Sequence, residues 1–255
     1  MDFNGKVAIA TGAASGMGLL FAENFATLGG NVLMCDVNEA TLSEKVAAIN
    51  AKGQGKAEGI VCDVRDYAAV CAARDKAVRE FGRIDIMVNF AGGTATRMCN
   101  VDKEKHPEFP DVPIEVFDWG IDVNLKGPFY FAHAVLSVMR AQKSGLIINI
   151  GSITGAEGSA YGMDYSTSKA GLMYGLTKSV AQFGAKYGIR CVCVSPGPVL
   201  TREAMASMKT PLGRAAEPQE IIDLILFIAS DKGQFINGEN IMIDGGRNAM
   251  GRYTK

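Results

Sequence analysis

The stretch Lys6-Val7-Ala8-Ile9-Ala10-Thr11-Gly12-Ala13-Ala14-Ser15-Gly16-Met17-Gly18 decides how this chain folds. Lys6–Thr11 reads as a short apolar strand bounded by glycine, too brief for a helix. Thr11–Gly18 carries glycines where the backbone must turn sharply, and a helical pattern then runs through about Leu28. In this order, strand, glycine-rich turn and helix make a cradle for a pyrophosphate. The glycines allow close backbone approach, and N–H groups at the helix start attract the negative charge. Gly12, Gly16 and Gly18, with Ser15 and Met17 between them, are the first candidate binding residues.

Outward from this turn the same alternation repeats. Strands are expected at Asn31–Asp36, Ala57–Asp63, Ile84–Asn89, Leu146–Gly151, Ile189–Ser195 and Asn240–Ile243. Helices are expected at Glu39–Lys52, Asp66–Phe81, Ile114–Gln142, Asp164–Tyr187 and Pro218–Ala229. Short apolar runs without polar alternation indicate strands buried on both faces, and helices between them indicate parallel crossovers. The expected fold class is α/β: a Rossmann-like, doubly wound parallel sheet of about seven strands with helices on both faces. Ligands bind such sheets beyond the carboxyl ends of the strands. Two irregular segments, Thr94–Pro113 and Thr201–Ala216, are of a length that is usually functional or mobile.

Composition bounds the partner. At 255 residues the chain is read as a single dinucleotide-binding and catalytic domain over 1–255. A formal net charge of -1 lacks the basic excess of a nucleic-acid binder, so a small molecule is the expected partner. No signal-peptide pattern opens the sequence, and Ile221–Ala229 is too short to span a bilayer, so a cytoplasmic protein without membrane association is expected. Cys35, Cys62, Cys71, Cys99, Cys191 and Cys193 form no C-x-x-C pair and have no His at zinc spacing. They read as reduced thiols, with no metal site.

Asp36 closes the second strand, where an acidic group hydrogen-bonds adenosine ribose hydroxyls. A carboxylate there repels a 2′-phosphate, and no Arg follows in Asp36-Val37-Asn38, so NAD is favoured over NADP. Asp36 can alternatively cap the helix over Glu39–Lys52. Asp63, in Val61-Cys62-Asp63-Val64, can cap the next helix or meet the adenine amino group, and both roles stay open.

Tyr165-Ser166-Thr167-Ser168-Lys169 sets a phenol and an ammonium on one face of a helix start. A free phenol, with a pKa of roughly 10, is a poor acid–base group near neutral pH. A neighbouring ammonium favours its phenolate. That spacing alone is common. Ser152, at the end of the fifth strand, adds a hydroxyl able to bond a substrate oxygen and stabilise charge developing there. Tyr161 lies eight residues from Lys169, too far for the same pairing, and reads as a substrate-pocket wall or a surface aromatic.

With these residues in view, the chain resembles the short-chain dehydrogenase/reductase family over essentially its whole length. The resemblance rests on Thr11–Gly18, Asp63, Asn89-Phe90-Ala91-Gly92, Val123–Phe129, and Ser152 thirteen residues before Tyr165. It continues through Tyr165–Lys169, Ser195–Thr201, Pro211–Ile221 and Ile243–Gly246. It implies a catalytic tetrad of Asn124, Ser152, Tyr165 and Lys169. In that set Tyr165 is the acid–base group, Ser152 orients the substrate oxygen and Lys169 bonds the nicotinamide ribose. Asn124 holds a water that links Lys169 to solvent. The implied cofactor contacts add Val64, Asn89 beside the adenosine ribose, backbone of Ala91 and Gly92, Pro196, Gly197, Val199 at the carboxamide, and Thr201. The implied assembly is a homotetramer.

Three features depart from the family pattern. Phe90 stands where a second Asn is usual, the segment from Asn89 to Asn124 is long, and the one from Thr201 to Pro218 is short. The short segment implies a small lid over a relatively open cleft. Pocket residues are expected among Gly93–Arg97, Ile153–Gly155, Tyr161, Gly197–Pro198 and Arg202–Met208, with Ser152, Thr154, Tyr161, Tyr165 and Pro198 nearest the substrate. Their few charges suit a steroid- or sugar-type alcohol over a phosphorylated one. The resulting expectation is an NAD(H)-dependent oxidoreductase interconverting a secondary alcohol and a ketone. A rival within enzymes is an NADPH-dependent reductase resembling the 3-oxoacyl carrier-protein type. A rival of another class is a catalytically silent NAD-binding regulatory protein.

Overall fold

Valine, isoleucine and leucine runs that are apolar on both faces demand cover above and below, and the chain supplies it by crossing back with a helix after each strand. The computed structural model describes residues 1–95, 108–201, 207–208 and 210–249. Its strands are β1 (Val7–Thr11), β2 (Asn31–Asp36), β3 (Ala57–Val61), β4 (Ile86–Asn89), β5 (Gly145–Ile150), β6 (Ile189–Pro196) and β7 (Asn240–Ile243). They form one sheet in the order β3-β2-β1-β4-β5-β6-β7, with every neighbouring pair parallel.

Successive residues of each strand enter opposite cores. Ala8, Ala10, Val32, Met34, Val88 and Ile148 face α1 (Gly16–Thr27) and α9 (Pro218–Ala229), where Phe21, Phe25, Ile221 and Ile225 complete the packing. Ile9, Leu33, Met87, Ile147 and Cys191 face the other side. There α3 (Tyr67–Phe81), α5 (Gly127–Gln142) and α8 (Thr177–Ala185) contribute Val70, Phe131, Val135 and Val180. The remaining helices are α2 (Glu39–Asn50), α4 (Ile114–Ile121), the short α6 (Thr154–Glu157) and α7 (Met163–Ala170).

Two long helices expected from the sequence each contain a π-helical turn, at Asp122–Lys126 between α4 and α5 and at Gly171–Leu176 between α7 and α8. Such turns insert a residue into the helix and re-aim the side chains beside it, and they concentrate at functional sites. The first carries Asn124. The second follows Lys169 directly. They touch each other across the helix pair.

Two capping expectations need correction. Asn38, not Asp36, caps α2, its side chain accepting from the Thr41 N–H at 3.1 Å. β3 ends at Val61, and Asp66, not Asp63, caps α3 by accepting from the Ala68 N–H at 2.8 Å. The described cysteines are free thiols, and Cys99 and His106 lie outside the described residues. No helix among the described residues is long and apolar enough to cross a membrane.

Candidate active site

The strand order reverses direction at β1: the chain builds outward through β2 and β3, then returns to β4 on the other side. The loops leaving β1 and β4 therefore diverge and open a crevice at their carboxyl ends. They are also locked together. The Ala91 N–H donates to Thr11 Oγ1 at 3.0 Å, and a β-carbon on Gly12 (φ 61°) would sit 3.1 Å from the Ala91 backbone. A β-carbon on Gly18 would lie 2.3 Å from the Gly12 carbonyl oxygen, so the turn closes only without a side chain there.

The crevice holds about 390 Å³, with Gly12 and Ser15–Gly18 on one wall, Phe90–Thr94 on the other and Asp36 at the outer end. These residues fit a dinucleotide. The first turn of α1 carries no acidic residue and Ser15 forms no side-chain cap, which leaves helix-start N–H groups directed at the crevice. Asp36 is held in place because Oδ2 accepts from the Ala14 N–H and Oδ1 from the Asn38 N–H, each at 3.0 Å. Each oxygen retains a lone pair for a hydroxyl donor. Phe90 packs its ring 5.6 Å from that of Phe21, so an apolar contact with α1 replaces local turn bonding.

Four expected cofactor residues line neither this crevice nor the one that adjoins it. The Asp63 carboxylate is forked by the Arg65 guanidinium at 2.6 to 3.0 Å, which holds its pKa below the usual carboxylate range. Val64 is buried against Gly127. Asn89 is buried too; its amide donates to Asn149 Oδ1 at 2.9 Å, and Asn149 donates to Thr177 Oγ1 at 3.0 Å. Register sets Asn89 beside Asn149 on adjacent strands, and the buried Asn149 oxygen satisfies the buried Asn89 amide. Lys169 lies behind the wall.

A second crevice of about 430 Å³ adjoins the first and shares Met17, Thr94, Tyr165 and Thr201 with it. Ser152, Thr154, Tyr161, Pro198 and Tyr165 line it, as do Pro196, Gly197 and Val199. Tyr161 is 80 % exposed and so stands at its mouth. The sequence reading passed over Ser159, Gly162 and Arg247, which also line it. Met208 does line it, whereas the expected residues 96–97 and 202–206 lie outside the described residues.

The four tetrad candidates come together here. The Lys169 ammonium donates to the Ile150 carbonyl at 2.7 Å and lies 5.4 Å from the Tyr165 ring centroid. Ser152 is buried two residues beyond Ile150, and its Oγ accepts from the Thr154 N–H at 3.2 Å. That bond orients Ser152 and leaves its hydroxyl proton to donate. Asn124 is fully buried and wholly engaged with backbone. Its Oδ1 accepts from the Gly93 N–H, and its amide donates to the Gly93 and Gly120 carbonyls, all at 2.9 Å. Asn124 thus ties the loop after β4 to the π turn. A phenol at the junction of two crevices, with a fixed ammonium and a hydroxyl donor, can pass a proton to or from a bound oxygen.

Beside Tyr165 lies a buried anomaly. Asp164 accepts from the Tyr165 and Ala95 backbone N–H groups, but its Oδ2 is buried without a hydrogen-bond partner against Gly120. Desolvation raises its pKa above the ordinary carboxylate range.

Comparison with known proteins agrees with this geometry. The family model described as enoyl-(acyl carrier protein) reductase matches residues 12–248. The chain is 36% identical over 257 residues to 3-oxoacyl-[acyl-carrier-protein] reductase of Thermotoga maritima, covering 96% of this chain and 99% of that protein. It is 39% identical over 254 residues to trans-4-hydroxycyclohexanecarboxylate dehydrogenase of Sinomonas cyclohexanicum, covering 96% and 93%. Among solved structures, a 3-oxoacyl-[acyl-carrier protein] reductase with bound NAD from Brucella melitensis superposes with TM-score 0.86 at 29% identity, covering 96% of this chain and 92% of that one.

Proposed function

The chain belongs to the short-chain dehydrogenase/reductase family of oxidoreductases, and from that premise we propose that it is an NAD-dependent dehydrogenase interconverting a secondary alcohol and a ketone. The carrying observation is Tyr165 at the junction of two adjoining crevices, with Lys169 5.4 Å from its ring and Ser152 on the same wall. Nicotinamide, when bound, supplies the hydride acceptor or donor. The residues of the chain do the rest. Ser152 donates to the substrate oxygen, Tyr165 takes or returns its proton, and Lys169, anchored on Ile150, keeps a positive charge beside the phenol. Asn124 positions the Gly93 loop, and we read residues 1–255 as one domain.

Asp36 at the adenosine end supports NAD, since its carboxylate repels a 2′-phosphate. The Sinomonas relative, named for a ring hydroxyl, supports the alcohol. The names of the Thermotoga and Brucella proteins support a second reading, a 3-oxoacyl reductase, and a titration showing tighter NADPH than NADH would favour an NADPH-linked form of it. The direct test is oxidation of a secondary-alcohol panel with NAD, followed through absorbance of the reduced cofactor. Tyr165→Phe is expected to lose at least about 100-fold in kcat. Wild-type turnover by that variant would refute the mechanism.

A further inference from the structure

We propose that the substrate carries a carboxylate and that Arg247 recognises it; this deepens the dehydrogenase reading and rests on it. Arg247 is the one charged residue among the described residues that line the substrate crevice. The other walls are apolar or hydroxylic, including Ile153, Pro198, Val199 and Met208.

Arg247 is held on both sides. Its backbone follows the turn after β7, where the Asp244 carboxylate accepts from the Gly246 N–H at 2.9 Å and the Asn248 N–H at 2.6 Å. Its side chain is gripped by Glu157, the last residue of α6. Nε donates to Oε1 at 3.0 Å and Nη2 to Oε2 at 2.9 Å. Both side chains are about one-third exposed. Because α6 begins two residues after Ser152, the pair fastens Arg247 to the segment that carries the substrate-oxygen donor.

A guanidinium has two edges that fit a carboxylate. Glu157 occupies the Nε/Nη2 edge, which leaves the Nη1/Nη2 edge as a second fork already held in place. Preorganisation of this kind lowers the entropy lost on binding. Charge selects the anion: Glu157 already balances Arg247, and the described lining residues offer no second cation. A monoanionic carboxylate therefore fits better than a dianionic phosphomonoester. With apolar walls in the same crevice, the expected substrate class is a hydroxy acid or keto acid with a hydrocarbon spacer.

The test uses the full chain, NAD and three probes of increasing length: 3-hydroxybutanoate, 4-hydroxypentanoate and 5-hydroxyhexanoate. Each is paired with its carboxamide, and 2-pentanol and cyclohexanol serve as neutral alcohols. For the best length, wild type is expected to favour the acid over the amide by about tenfold or more in kcat/KM. Arg247→Met is expected to bring that ratio near one, and Arg247→Lys to keep part of it, with NAD binding reporting an intact fold. A wild-type ratio at or below one for all three lengths, or an Arg247→Met variant that keeps the preference, overturns the proposal. Turnover of neutral alcohols without acid preference overturns the carboxylate alone. No turnover of any probe overturns the dehydrogenase reading, and the carboxylate with it.

Discussion

Gly92 lies so close to Asn124 that a β-carbon on it would stand 2.7 Å from Asn124 Oδ1 and 3.4 Å from Lys169 Nζ. Neither neighbour has room to yield. Asn124 is bonded to the Gly93 and Gly120 backbone, and Lys169 to the Ile150 carbonyl. Gly92→Ala must therefore displace the loop or the ammonium. Misplacing a reacting group by about an ångström costs on the order of 100-fold, so kcat is expected to fall by about 10- to 100-fold. Steady-state kinetics beside a circular-dichroism melt checks this; an unchanged kcat would show that the loop moves harmlessly.

Lys169 is pinned to the strand end by one carbonyl, and its length matters as much as its charge. A Lys169→Met side chain leaves the buried Ile150 carbonyl without this donor and removes the cation beside Tyr165. Loss of at least about 100-fold in kcat is expected. Lys169→Arg retains charge but demands a planar fork in a space shaped for a point charge, and is expected to recover only a minor part. Measuring both variants separates charge from geometry.

The fold was legible because its signals are local. Buried strands leave apolar runs, and the observed bounds of β2, β7 and α9 coincide with the expected ones. The glycine turn was legible for the same reason, since Gly12 and Gly18 are required by contacts within a short stretch and with β4. What escaped reading depends on contacts between distant segments. The π turns lie against each other where two helices pack, and no residue pattern in the sequence announced them. Asn89 turns toward Asn149, sixty residues away, because register sets them side by side. Arg247 reaches the substrate crevice through a fork to Glu157 ninety residues earlier, a pairing that no spacing rule encodes.

Asp36→Asn changes the charge at nearly constant shape, at the cost of the bond that Oδ1 accepts from the Asn38 N–H. Asp36→Asn keeps an oxygen to accept from the Ala14 N–H, which fastens the glycine turn to the end of β2. It removes the charge that repels a 2′-phosphate and weakens the hold on ribose hydroxyls. The ratio of kcat/KM for NAD over NADP is expected to fall by about tenfold or more. An unchanged ratio would mean that Asp36 serves only the turn.

Asp164 predicts a pH-dependent stability. Burial raises its pKa in the folded chain, so between the ordinary carboxylate value and the raised one the folded state holds a proton that the unfolded state releases. Stability from this group is therefore full at acid pH and is lost as pH rises through that window. Asp164→Asn cannot ionise. It keeps an oxygen for the Tyr165 and Ala95 N–H groups and places a neutral amide where Oδ2 is buried without a partner. The variant is expected to melt near the wild-type temperature below about pH 3, where the carboxyl is protonated in both states. Toward neutral pH it should melt about 2–4 °C higher, a gain on the order of 1 kcal/mol for a chain of this size. Differential scanning calorimetry from about pH 3 to 8 measures the difference, and a gain that shrinks as pH rises would have the wrong sign for a buried, unpaired acid.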